Sequence, residues 1–130
     1  MSDLRPRGIT VEMGGQERNL LFTINAIDEI QERCNLPLMD AVIFVAKAAD
    51  GSMDHETLGH FRTIATVLVN SEKGEKYSEE EIGRMITLEN YLQVARAILE
   101  AYGVSLPDPD EDEEEDEEDE DESPKAGTGQ

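Results

Sequence analysis

The chain has 130 residues, with 31 Asp and Glu against 11 Lys and Arg and a formal net charge of −20, enough length for one modest domain and not for two. Positions 108–122 hold 14 acids, broken only by Pro109, and without them and Lys125 there remain 17 acids and 10 bases, a net of −7. Such a balance speaks against binding nucleic-acid phosphate, which needs a basic footprint, and against docking on an anionic membrane leaflet.

Residues 1–8 are polar, contain Pro6 and Gly8, and read as a flexible arm. Residues 9–13 alternate apolar and polar side chains as a half-buried strand does. Gly14 and Gly15, with Gln16 and Glu17, supply a turn, and residues 18–24 read as the returning strand of a β-hairpin. Two strands alone are marginal in water, so the hairpin must pack on something else.

Helices follow. Asn25 is a candidate N-cap, with Asp28 and Glu29 expected in the first turn and Ile27, Ile30 and Cys34 on one face. Asn35 and Leu36 end that helix, and Pro37 suits the start of the next. Residues 38–49 are apolar on nearly every side, which predicts a central buried helix or one that docks against another subunit. Asp50, Gly51 and Ser52 break it. Residues 54–70 carry Leu58, Phe61, Ile64, Ala65 and Leu68 along one stripe. A charged loop over 72–77 leads to a capping box, Ser78 with Glu81, that opens a short helix through Met85. Thr87 is a candidate cap for the last helix, with Leu88, Leu92, Ala95, Leu99 and Tyr102 as its buried face and Gly103 as its stop.

The fold class is therefore α+β, mainly α. An N-terminal β-hairpin is followed by four or five helices in a single domain over 9–106. Residues 107–130 combine a block of like charges with turn and linker residues, and read as a disordered acidic tail.

Candidate chemistry is thin. Cys34 is the single cysteine, so no internal disulfide forms, and its place beside Ile27 and Ile30 reads as a small buried side chain. The N-terminus has no apolar signal-peptide core, and the longest apolar run, 41–49, includes Lys47 and is too short to span a bilayer. His55 and His60 stand five apart, which turns their rings about 140° from each other on a helix, unlike the four-residue spacing of a zinc-protease motif. Aligning Gly51 with the glycine of a calcium loop puts Ala46, Ala48 and Thr57 at ligand positions, so that match fails. Asp108, Asp110 and Asp112 start like such a loop but lack its turn glycine. Gly14-Gly15 is a turn and not a phosphate cradle, since no helix opens directly behind it. No enzyme, metal site or cofactor is expected.

Protein–protein work fits better. The helix over 38–49, the polyanionic tail and a hairpin strand edge each offer a binding surface. The candidate partner-binding residues are Leu38, Val42 and Val45 on the helix, and Asp110, Glu113, Asp116 and Asp119 on the tail. The strand leading to Phe22-x-x-Asn25-Ala26-x-x-Glu29 at the entry to a helical body resembles the tail assembly chaperones of long-tailed bacteriophages, across roughly residues 8–105. The resemblance implies a non-enzymatic late protein in the host bacterial cytoplasm. It would bind the tape measure protein and keep it soluble during tail morphogenesis, self-associate, meet the tail tube protein, and be absent from the mature virion. It also implies a longer product made by ribosomal frameshifting, and Ser123-Pro124-Lys125 can be encoded across a C-CCA-AAN slippery heptamer. Two alternatives stay open: an acidic binding module, chaperone or nucleic-acid mimic, for basic proteins, and a structural tail or connector subunit.

Overall fold

A computed structural model describes residues 8–71 and 76–105. β1 (Ile9–Met13) and β2 (Gln16–Leu20) pair antiparallel, with Ile9 opposite Leu20 and Met13 opposite Gln16. The turn is Gly14-Gly15 alone, and not the four residues expected. Both glycines have positive φ, 63° and 79°, the backbone of a two-residue primed turn, so Gln16 already pairs with Met13. A Cβ on Gly14 would also meet Met85 Sδ at 2.9 Å, so close packing as well as φ requires glycine there.

Five helices follow: α1 (Ile24–Cys34), α2 (Leu38–Ala49), α3 (His55–Asn70), α4 (Glu79–Met85) and α5 (Tyr91–Ser105). The returning strand stops at Leu20, and α1 is capped by Thr23 rather than Asn25, with Thr23 Oγ1 accepting from Ala26 N at 3.0 Å. Asp28 and Glu29 consequently lie beyond the first turn. Asn35 ends α1 in the left-handed region at φ 56°, which asparagine tolerates. Ser78 and Glu81 form the expected capping box of α4, with reciprocal bonds of 3.0 and 2.8 Å.

The central helix is α3, not α2. Nine of its residues are buried, including Phe61, Ile64, Leu68 and Thr57, Thr63 and Thr66. α1, α2, α4, α5 and β2 all pack against it. α2 buries one face, Ala41, Val42, Val45 and Ala48, on α3 and α5. β1 packs on α5, where Phe22 meets Tyr102 edge-on at 5.8 Å between ring centroids.

The inward face of α5 is Val94, Ala95, Ala97, Ile98 and Ala101. Of the face expected from spacing, only Ala95 is buried. Leu92, Leu99 and Tyr102 are half-buried, and Leu88, in the turn before the helix, is 80% exposed. Asn90 organises that turn by accepting from Thr87 N at 2.7 Å and donating to Met85 O at 2.9 Å. Gly103 lies inside α5 and does not stop it. Residues 1–7 of the arm expected over 1–8, most of the charged loop and the acidic tail fall outside the described residues.

The registers separate cleanly in urea unfolding. Ile98→Ala should cost about 2–5 kcal/mol as a buried truncation, and Leu88→Ala should stay within about 0.5 kcal/mol.

Candidate binding surfaces

Three groups of polar residues could carry chemistry, and each is occupied in holding the fold. Arg18, 3% exposed, donates from Nε to Met13 O at 3.2 Å and from Nη1 to Tyr77 Oη at 3.2 Å, tying the hairpin to the segment before α4. Glu79 accepts from Thr63 Oγ1 at 3.1 Å and lies 3.7 Å from Arg33 and 3.8 Å from Arg62, so one carboxylate joins α1, α3 and α4. These ion pairs are partly exposed and long, so solvent screens them to a minor contribution. Asn70 spans the charged loop, accepting from Tyr77 N at 2.7 Å and donating to Tyr77 O at 2.9 Å.

Cys34 is buried, as its face position predicts. Burial raises its thiol pKa, Glu79 raises it further, and Arg33 partly offsets the rise. A protonated buried thiol is a poor nucleophile. His55 caps no cluster and is exposed, while His60 stacks on Phe44 of α2 at 4.6 Å between centroids. Among the described residues, no three His, Cys, Asp or Glu side chains gather as metal ligands. No described helix is long and apolar enough to cross a membrane. Asp54, beside the rejected calcium-loop residues, is the N-cap of α3, accepting from Thr57 N at 3.3 Å and Thr57 Oγ1 at 2.8 Å.

Two apolar surfaces stand out among the described residues. The first is a cleft of about 250 Å³ where α3, α4 and the turn into α5 meet, lined by Met53, Leu58, Phe61, Ile86, Leu88 and Tyr91. Leu88 and Met53 stand exposed at this lining. A larger hollow of about 620 Å³ beside Thr23, Arg33, Lys76 and Tyr77 is mainly polar. The second apolar surface is the outer face of α2, where Met39 is 68% and Ile43 49% exposed.

Of the partner-binding residues expected on α2, Val42 and Val45 are core and Leu38 is half-buried. The helix rotates them toward α3 and α5, and the side chains it presents outward are Met39 and Ile43 instead. Asp110, Glu113, Asp116 and Asp119 lie outside the described residues. The cleft escaped the sequence because its walls come from three separate segments. Leu88 carried the one available signal, a large apolar residue next to a turn.

Comparison with known proteins finds no significant match to any family model, curated protein or solved structure.

Thr57 lowers the pKa of Asp54 by hydrogen bonding to its ionised form, first through the side chain and then the backbone, with Lys47 a smaller contributor. The cap therefore stabilises α3 above the unfolded carboxyl pKa, and that contribution is lost as pH falls through the lower folded value. An NMR titration should place the Asp54 midpoint below the ordinary aspartate range, and Thr57→Val should move it upward. Cys34 should resist thiol reagents in the folded chain and react freely once urea unfolds it.

Proposed function

We propose that this chain is a tail assembly chaperone of a long-tailed bacteriophage, a non-enzymatic late protein that binds the tape measure protein and keeps it soluble. The single observation that best supports this reading is the apolar cleft between α3, α4 and α5, with Leu88 exposed at its lining. A body this small, presenting both an open apolar cleft and an exposed helix face, is equipped to cover apolar stripes of another protein. Each Å² of apolar surface so covered contributes about 25 cal/mol.

The acidic run over 108–122 supplies the second half of the mechanism. It keeps a loaded complex soluble and repels neighbouring complexes, and it attracts basic segments of client or tail tube protein. The chaperone would act in the host bacterial cytoplasm, self-associate, and leave before the virion is complete. A frameshifted longer product belongs to the same reading and is decided by the codons for Ser123-Pro124-Lys125.

Co-expression with the tape measure protein tests the proposal. The full chain should bring the client into the soluble fraction. Leu88→Asp should weaken client binding about tenfold, the scale of losing one buried anchor. Deleting residues 108–130 should lower client solubility and flatten the salt dependence of binding. An unchanged client in the Leu88→Asp variant would overturn the cleft's role. Salt-sensitive capture of basic proteins in general would favour the acidic binding module instead. Finding the chain in purified virions would favour a structural subunit.

A further inference from the structure

No described element covers the outer face of α2, and its chemistry specifies its partner. Met39, Ile43 and Ala46 are all exposed and follow one another at spacings of four and three, the pattern of a helix–helix seam. Phe44 turns away from this strip toward α3, where it stacks on His60 and lies 5.0 Å below Lys47 Nζ. Asp40 flanks the seam in the first turn of α2 and Lys47 flanks the same side in the last. The two are seven residues apart, about 10 Å along the helix and on the same face. Among the described residues, Asp50 caps the C-terminal end of α2 and Asp54 senses Lys47.

An acid at one end and a base at the other make the strip complementary to itself only when reversed. Two copies related by a two-fold axis bring Asp40 of each against Lys47 of the other, and Ile43 of each onto the small Ala46 of the other. A parallel pair, with its two-fold along the helix axes, would put the Asp40–Lys47 flanks of the two copies on opposite sides of the seam, where they form no pairs. The four flanking charges of the reversed pair sum to zero, and Asp50 and Asp54 of each copy leave negative charge at the ends of the seam.

We propose that α2 pairs antiparallel with α2 of a second copy of this chain, closed by two reciprocal Asp40–Lys47 ion pairs across a Met39–Ile43–Ala46 seam. This inference rests on the self-association included in the chaperone reading, but not on the identity of the client or on the cleft.

Sedimentation of the full chain at 0.15 M salt tests it, with circular dichroism confirming that each variant is folded. The wild type should pass from monomer to dimer with rising concentration. Ile43→Asp should leave it monomeric. Asp40→Lys and Lys47→Asp should each weaken the dimer about tenfold, as like charges meet across the seam. An equimolar mixture of these two variants should recover association, since each supplies the charges the other lacks, and the double swap D40K/K47D should recover it alone. A wild type that stays monomeric, a dimer that survives Ile43→Asp, or a double swap that fails to recover would overturn the proposal. Client solubilisation by the same variants separates the two readings. A monomeric wild type whose Ile43→Asp variant loses client binding would assign the face to the client and overturn the pairing, while leaving the chaperone reading intact.

Discussion

Burial of α3 is the constraint on which the rest of the molecule depends. Nine of its sixteen residues are buried, from Thr57 to Val69, so nearly every other element must give it a face. Three of those nine are threonines, and their hydroxyls would be costly inside without partners. Each has one: Thr57 donates to Asp54 Oδ1, Thr63 to Glu79 Oε2 and Thr66 to Arg62 O. With the hydroxyls satisfied, the methyl groups pack like those of valine, and the helix is packed against by α1, α2, α4, α5 and β2.

Surrounding one helix with others, in a body of this size, leaves their outer faces unpaired. α2 spends Ala41, Val42, Val45 and Ala48 on α3 and α5, and no described element covers Met39 and Ile43. α4 is seven residues long and spans only part of α3. The N-terminal stretch of α3, Leu58 and Phe61, is roofed by Ile86, Leu88 and Tyr91 from the turn and α5, and the cleft is the gap between these pieces. Both surfaces offered for binding are thus consequences of how the core is closed.

Local signals in the sequence held at three boundaries and failed at two, where Thr23 takes the cap expected of Asn25 and α5 runs on through Gly103. Gly14-Gly15, Asn35 and the Ser78–Glu81 box each mark an element boundary through backbone geometry or capping, which neighbouring elements scarcely alter. Signals that depend on partners did not hold. α2 is the more apolar helix, yet α3 is central, because threonines with satisfied hydroxyls bury as readily as aliphatic residues. The same error placed Val42 and Val45 on a binding surface: apolar content shows that a helix has partners, not which side they take. On α5, the spacing of Leu88, Leu92, Ala95, Leu99 and Tyr102 marked a face rotated by about one residue from the buried one, which is Val94, Ala95, Ala97, Ile98 and Ala101. The cleft has no periodicity to read, because its residues come from the loop before α3, α3 itself and the turn between α4 and α5.

Charge and assembly bear on each other through symmetry. A chain carrying −20 resists its own association, and each copy added to an open chain of subunits would add another 20 negative charges. A self-complementary seam closes after two copies and leaves no further edge to extend. At physiological salt, charges separated by more than about 8 Å are largely screened. A seam whose Asp40 and Lys47 charges cancel can then hold two copies together while their remaining charge opposes a third. The acids of 108–122 stand apart in sequence from α2 and from the residues that line the cleft. The polyanion and the exposed apolar faces are therefore compatible in one small protein because they are segregated along the chain.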